Sequence, residues 1–250
     1  MLVVVSPAKK LNMNAIEYFA ATKPMFPNQA KDLANLAGAL SVVELKKLMN
    51  ISDNLANLNK GRFEKFGSQD RKQAAFAFAG DTYQGLDAKT LDTDAVNWAQ
   101  DHLRILSGLY GLLRPLDEIE PYRLEMGSRL KTQRGKSLYD YWGSDLALSL
   151  NQEAKNTKSE ALVNCASKEY FKAVDQNALS VPIITPVFME NTDKGPKIVS
   201  FHAKRARGSM ARFIVTKRLN NPQQLLDFDR DGYVYEQSLS SSNEPIFLRG

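Results

Sequence analysis

Positive charge is the most concentrated chemical signal in this sequence. Between residues 194 and 226 the chain has eight lysines and arginines and no aspartate or glutamate. These cations are Lys194, Lys197, Lys204, Arg205, Arg207, Arg212, Lys217 and Arg218. The stretch therefore carries +8 in a chain whose net charge is +5, which leaves −3 for the remainder. Concentrated cationic side chains favour phosphates and other anions as partners.

The charged stretch has the periodicity of a long helix from His202 to Leu219. At about 100° per residue, its cations and its apolar residues fall on opposite sides. The cationic side holds Lys204, Arg205, Arg207, Arg212 and Arg218, and the apolar side holds Ala203, Ala206, Met210, Phe213 and Ile214. A solvated face normally mixes acids with bases, because i,i+4 pairs stabilise it. We therefore expect the apolar side to dock on the core and the cationic side to face outward and bind an anion, with plain solvation as the alternative.

Gly208 lies inside this predicted helix, where glycine costs about 1 kcal/mol relative to alanine. Two explanations are open. Either a backbone or a phosphate approaches the helix closely at Gly208, or the helix begins after this residue.

A second candidate region spans residues 106–130. Its glycines, prolines and aromatic residues alternate with Arg114, Arg123, Glu125 and Arg129. Arginine is the side chain best suited to paired hydrogen bonds with phosphate or carboxylate. The alternative is an internal network in which Arg123 pairs with Glu125 or with Glu120. Both interpretations are compatible with the spacing.

Several familiar kinds of site are excluded by the residue types present. The chain has no Gly-x-Gly-x-x-Gly, and the glycines at 80 and 85 lack the following Lys-Ser/Thr of a P-loop. Two histidines, one cysteine and no Glu-x-x-His argue against a zinc or di-iron site. We expect no metal and no cofactor. The single cysteine, Cys165, lies in an apolar run, where a thiol is expected to be protonated and inert.

Strands and helices alternate irregularly along the chain. Clusters of β-branched residues predict strands at 2–5, 162–165, 181–189 and 197–201, with closing strands at 233–236 and 246–248. Helices are predicted at 41–49, where Ser41 and Glu44 have capping-box spacing, then from Ser52, at 93–106, at 138–154 and at 202–219. No internal repeat or linker is evident. The sequence therefore predicts an α+β (mixed α/β) fold, with one compact domain over residues 1–250 and a mixed central sheet surrounded by helices.

Cysteine use and hydropathy indicate where the protein works. One cysteine allows no disulfide within the chain, which fits a reducing compartment. The apolar N-terminal run is too short for a signal-peptide core, and no apolar run approaches about 18 residues. We expect a cytoplasmic protein that does not enter a membrane and that is a monomer.

Eight blocks of sequence resemble one bacterial family and occur in the same order. They are SPAK at 6–9, GDTY at 80–83, LSGLYGLLRPL at 106–116, PYRLEMG at 121–127, YWG at 141–143, NCAS at 164–167, EYFK at 169–172 and SFHAKRARG at 200–208. Together they resemble the peroxide stress protein family YaaA nearly end to end. The resemblance implies a cytosolic protein that limits damage by hydrogen peroxide and keeps free iron low. It also implies a family-specific compact fold, a positively charged cleft, and DNA binding assisted by a helix-hairpin-helix.

The helix-hairpin-helix has two candidate locations in this sequence, residues 41–66 and residues 98–116. In the first, Asn57 and Asn59 occupy the positions where the usual hairpin has glycines, whose backbone N–H groups approach a phosphate. Asparagine tolerates positive φ better than most residues. We therefore expect Asn57 and Asn59 to contact DNA, and we expect the same of Arg114 in the arginine-containing region 106–130.

Two classes of function follow from these residues. In the first, a basic cleft holds duplex or branched DNA through its phosphates, without reading base sequence. In the second, the protein is an enzyme acting on nucleic acid, a nucleotide or another anion, since lysine, tyrosine and carboxylate groups are the material of acid–base catalysis. The catalytic candidates are Lys9, Asp81, Tyr83, Arg123 and Glu125, with Lys204 from the basic helix. Tertiary structure decides whether these residues line one pocket.

Overall fold

The computed structural model describes residues 1–15 and 19–250. Within these residues the chain forms ten α-helices and ten β-strands. The helices are α1 Pro27–Ala39, α2 Val42–Met49, α3 Asp53–Glu64, α4 Ala74–Ala77, α5 Asp81–Leu86, α6 Thr93–His102, α7 Leu138–Trp142, α8 Asp145–Asn156, α9 Lys168–Phe171 and α10 Ser200–Lys217. The strands are β1 Leu2–Val5, β2 Lys72–Gln73, β3 Leu103–Ser107, β4 Gly111–Leu113, β5 Glu118–Ile119, β6 Leu162–Cys165, β7 Ile183–Ile184, β8 Val187–Glu190, β9 Val234–Tyr235 and β10 Ile246–Arg249.

The centre of the fold is a five-stranded sheet with the order β4-β3-β1-β6-β7. Strand β1 pairs in parallel with β3 on one side, through Val3 and Leu103, and with β6 on the other, through Val3 and Val163. All four residues of β1 are apolar and fully buried, as expected for a parallel strand covered on both faces. The chain leaves β1 towards β3 and returns on the other side as β6. The order therefore reverses at β1, and such a switch point opens a crevice at the carboxyl ends of the strands.

Two smaller sheets complete the fold, one of three strands in the order β8-β10-β9 and one that pairs β2 with β5. Helix α10 contacts β1 and β6 of the central sheet and β8 of the three-stranded sheet. Its predicted apolar residues, Ala203, Ala206, Met210, Phe213 and Ile214, are all buried. The predicted mixed α/β fold, one compact domain with a mixed sheet surrounded by helices, is confirmed.

Helix α5 crosses α10 with the two backbones in direct contact. A Cβ on Gly208 would overlap the carbonyl oxygen of Thr82 and lie 2.7 Å from the Thr82 carbonyl carbon. A Cβ on Gly85 would overlap the carbonyl oxygen of Arg205 and lie 2.7 Å from the Ser209 nitrogen. The close approach expected at Gly208 is therefore made by a backbone, that of α5.

Four predicted elements differ from the structure. The strand predicted at 181–189 is two strands, β7 and β8, which belong to different sheets. The strand predicted at 197–201 is not formed as such, because α10 begins at Ser200. The predicted helix 93–106 ends at His102, because residues 103–107 pair with β1 as strand β3. Pairing with the sheet outweighs the helical spacing of Leu103 and Leu106. The predicted helix 138–154 is two helices separated at Gly143, which has a φ of +46°.

The two candidate locations of the helix-hairpin-helix differ in the structure. Helices α2 and α3 do form a helical pair, but the chain turns at Asn50, which has a φ of 50°. Asn57 and Asn59 lie inside α3, and their side chains donate to the carbonyls of Asp53 and Leu55. Residues 98–116 contain the end of α6 and the antiparallel strands β3 and β4. The expectation that Asn57 and Asn59 flank the hairpin turn is therefore wrong, and residues 98–116 do not form a helical pair.

The α5–α10 contact predicts a large difference between two glycine-to-alanine variants. Gly208→Ala is expected to lower the free energy of unfolding by about 1–3 kcal/mol, because the added methyl forces the two helices apart. Gly61→Ala is the matched control within α3, since a Cβ there meets nothing within 4 Å. This variant is expected to gain about 0.5–1 kcal/mol from better helix propensity. Urea denaturation of both variants measures the two changes, and equal unfolding midpoints would contradict the direct backbone contact.

Candidate functional site

A cleft of about 810 Å³ opens at the carboxyl ends of β1 and β6. Its walls come from the loop after β1, residues 6–10 and 12, from the segment before and within α5, and from the residues that follow β6. Helix α10 contributes Lys204 and Arg207. The cleft therefore occupies the crevice that the switch in strand order creates. Its size is typical of sites for small molecules and cofactors.

Ser6 holds three walls of this cleft together. Its hydroxyl accepts a hydrogen bond from the backbone N–H of Ser167 at 2.8 Å and donates to the Ser167 hydroxyl at 3.3 Å. The carbonyl of Ser6 accepts a hydrogen bond from the Tyr83 hydroxyl at 3.1 Å. The ends of β1 and β6 are thus tied to each other and to α5. These bonds fix the positions from which the charged side chains project.

Five cationic side chains line the cleft: Lys9, Lys10, Lys89, Lys204 and Arg207. Three carboxylates line it as well: Asp81, Asp87 and Glu169. The cations outnumber the carboxylates, so the cleft attracts anions.

Arg207 is the most enclosed of these cations. It lies beside the buried thiol of Cys165, and burial lowers the pKa of Arg207. No carboxylate among residues 1–15 and 19–250 forms a salt bridge with it. A desolvated cation without a paired anion gains from an anionic ligand. Burial also raises the pKa of Cys165 to about 12, so the thiol stays protonated, as expected from its apolar strand.

A chain of ionised groups adjoins the cleft at Lys9. Glu125 Oε1 accepts hydrogen bonds from Arg123 Nε at 3.0 Å and Nη2 at 2.8 Å, and Lys9 Nζ lies 3.2 Å from the same oxygen. Glu125 Oε2 is buried and has no hydrogen-bond partner within the described parts of the chain. The internal Arg123–Glu125 pair, one of the two sequence interpretations, is therefore present. Glu120 instead pairs with Arg71.

The structure brings most of the catalytic candidates together. Lys9, Asp81, Tyr83 and Lys204 line the cleft, whereas Arg123 and Glu125 lie behind it and reach it through Lys9. Burial raises the pKa of Tyr83, so it stays a neutral phenol at physiological pH. Since its hydroxyl donates to Ser6, Tyr83 positions the wall of the cleft.

The predicted nucleic-acid contacts divide into two groups. Lys204 and Arg207 enter the main cleft, and Arg205 lines a second cleft of about 370 Å³, where it lies 4.0 Å from Asp231. The others already have partners in the fold. Arg212 donates to the carbonyls of Leu86 and Asp87, Arg218 pairs with Asp94, and Arg114 pairs with Asp117.

The expectation of one outward cationic face on α10 is therefore wrong. Helix α5 packs on Gly208, in the middle of that face, and directs the cations to different sides. Arg212 caps the carbonyl end of α5, which is a structural role.

Sequence reasoning missed several residues that build the cleft. Ser6, Ser167, Glu169 and Tyr170 fell within the blocks that carry the family resemblance, but their types alone indicated no role. Lys10 and Lys89 had no distinguishing signal. Their common location depends on the pairing of β1 with β6 and on the position of α5.

The sequence model of one protein family, described as peroxide stress protein YaaA, matches residues 1–239 of this chain. The chain belongs to this family. It is 57% identical to a UPF0246 protein of Ruegeria pomeroyi, over 100% of this chain and 98% of that relative. It is also 57% identical to a UPF0246 protein of a Jannaschia species, over 100% of this chain and 97% of that relative. A UPF0246 protein of Roseobacter denitrificans is 54% identical over 100% of this chain and 98% of its own length. The resemblance inferred from the sequence blocks is confirmed.

The sequence analysis expected neither a metal site nor a membrane-spanning helix. Among the described residues, no three histidine, cysteine or acidic side chains come together as metal ligands would, and the expectation of no metal stays a prediction. None of the helices in the described ranges is both long enough and apolar enough to span a bilayer.

The Arg123–Glu125 pair predicts a measurable stability change. Glu125→Gln is expected to lower the free energy of unfolding by about 1–3 kcal/mol, because it leaves the largely buried Arg123 without its anion. Glu64→Gln is the control, since Glu64 pairs with Lys60 on the surface and such pairs contribute about 0–1 kcal/mol. Thermal and urea melts of both variants test this. A Glu125→Gln protein as stable as the wild type would show that the pair does not hold the fold together.

Proposed function

We propose that this member of the peroxide stress family binds duplex or branched DNA through its phosphates, without reading base sequence. The observation that carries the proposal is the convergence of five cations on one cleft at the carboxyl edge of the central sheet. Phosphate contacts supply nearly all of the affinity of non-specific DNA binding. A cleft with more cations than carboxylates is suited to that role.

The cations of the cleft are available to a ligand to different degrees. Lys10 and Lys204 are exposed, and Lys9 is exposed although it also contacts Glu125. Arg207 is largely enclosed, and the gain from an anion is greatest for such a desolvated charge. We therefore assign the phosphate contacts to Lys10, Lys204 and Arg207. Arg205 extends the basic surface into the second cleft.

The family supports a role in peroxide stress. We propose that the protein acts in the cytoplasm to limit oxidative damage and free iron, with DNA as its partner and no membrane involved. Binding to DNA places a peroxide stress protein on one of the molecules that oxidation damages. We propose that it acts as a monomer.

A second candidate function is an enzyme that acts on nucleic acid or a small anionic substrate. It is favoured by one observation, that Lys9 connects the cleft to the Arg123–Glu125 pair while Asp81 lines the same space. An ammonium and a carboxylate that face one ligand can transfer a proton in each direction. A product formed from DNA or a nucleotide by the wild type, and not by Lys9→Met or Asp81→Asn, would favour this candidate.

The DNA proposal predicts a steep salt dependence that the cleft controls. The logarithm of the association constant for duplex DNA is expected to fall by about 0.9 per log unit of salt for each phosphate that a cation of the protein neutralises. The double variant Lys10→Ala, Lys204→Ala is expected to reduce that slope by about 0.9 for each phosphate that no longer has a cationic partner. Fluorescence anisotropy over a range of salt concentrations measures the slopes.

Lys217→Ala is the matched control for this experiment. Lys217 is an exposed lysine at the far end of the same helix, so its replacement changes the net charge without touching the cleft. Its slope is expected to match that of the wild type. If the double variant and Lys217→Ala change the slope equally, DNA responds to the overall charge and the cleft is not its site.

A further inference from the structure

The interior of the main cleft differs from its rim. Beneath the cations, the surface is formed by Ala75, Phe76, Phe78, Ala79, Tyr83 and Tyr170. The rings of Phe78 and Tyr83 contact each other, with centroids 5.4 Å apart. The sugar–phosphate backbone of DNA is hydrophilic and gains nothing from such a floor. An apolar, aromatic floor instead suits a flat ring that can stack on it.

The carboxylates in the cleft point to the polar character of that group. Asp81, Asp87 and Glu169 line the same space as the cations. Carboxylates oppose a bare phosphate but accept hydrogen bonds from N–H donors. Nucleobases carry ring and amino N–H donors on a flat ring. The three features together, aromatic floor, hydrogen-bond acceptors and cationic rim, match a nucleotide better than they match a phosphate chain.

The size of the cleft limits how much nucleic acid can enter. About 810 Å³ accommodates a ligand of small-molecule size. A duplex is too large to enter and keeps its bases stacked inside. A base reaches a pocket of this kind only if it is unpaired or is turned out of the helix.

We propose that the cleft accepts a single nucleotide with a free base. The base lies against the floor near Phe78 and Tyr83, and its phosphate lies at Lys204 and Arg207. This inference rests on the proposed function where the nucleotide belongs to DNA, and it names the part of the DNA that enters. The same chemistry also fits a free nucleoside monophosphate, and the experiment separates the two sources.

The test compares two duplexes that differ only in the presence of one base. Each carries a single-nucleotide bulge, which is deoxyadenosine in one duplex and an abasic residue with the same phosphates in the other. The wild-type protein is expected to bind the deoxyadenosine bulge about tenfold more tightly, the size of effect that base–aromatic stacking gives. Anisotropy at constant salt measures both affinities, and deoxyadenosine monophosphate is titrated separately.

Filling the floor should remove that difference. Ala79→Phe places a ring in the space of the base, and Ala8→Leu narrows the same opening from the loop after β1 if the first variant is poorly folded. Both are expected to bring the ratio of the two affinities to about one. Ala39→Phe makes the same substitution at an exposed position at the end of α1 and is expected to keep the tenfold ratio. Thermal melts confirm that each variant is folded.

The outcomes distinguish this inference from the proposed function. Equal affinity of the wild type for the two bulges, without binding of the free nucleotide, would overturn the inference even if salt-dependent DNA binding is seen. Binding of the free nucleotide that Ala79→Phe abolishes, without DNA binding, would support the nucleotide site and refute the DNA proposal. A tenfold ratio that Ala79→Phe leaves intact would place base recognition outside the cleft and overturn the inference.

Discussion

The contact between helices α5 and α10 is the constraint on which the site depends. Gly85 and Gly208 remove the side chains at the crossing, so the two backbones touch. This contact places α5 against the carboxyl end of the central sheet, where the Tyr83 hydroxyl reaches the carbonyl of Ser6. Arg212 of α10 holds the other end of α5 by donating to its terminal carbonyls. The wall of the cleft is therefore fixed by backbone packing, and the charged residues project from a rigid support.

The same crossing divides the charge of α10. A helix with five cations on one side would repel itself if that side were open to solvent throughout. Because α5 covers the middle of the side, Lys204 and Arg207 lie in the main cleft and Arg205 lies in the second. Enclosure strengthens the attraction of Arg207 in particular to an anion, since the local dielectric around this half-buried side chain is low. The electrostatic field is thus concentrated in a crevice, where a ligand is surrounded by it.

The cleft combines features that serve different parts of one ligand. Its rim of lysines and Arg207 suits phosphate, its aromatic floor suits a flat ring, and its carboxylates suit N–H donors. The Arg123–Glu125 pair lies behind Lys9, whose Nζ is 3.2 Å from Glu125 Oε1. The two candidate functions, DNA binding and catalysis, therefore both use the main cleft. The family relationship adds the biological setting of peroxide stress.

The sequence by itself determined the elements in which every residue fits the same local pattern of burial or capping. The apolar run of β1, the capping box at Ser41, the apolar stripe of α10 and the family of the chain were all readable without coordinates. Tertiary structure decided the rest, because it depends on contacts between distant segments. Pairing with β1 made residues 103–107 a strand despite their helical spacing. The crossing at Gly208 turned an expected outward face into two clefts. The floor, which no local pattern contains, formed where residues 75–83 and Tyr170 pack beside the ends of β1 and β6. Local periodicity records which side of an element is buried, but not which backbone or side chain lies opposite to it.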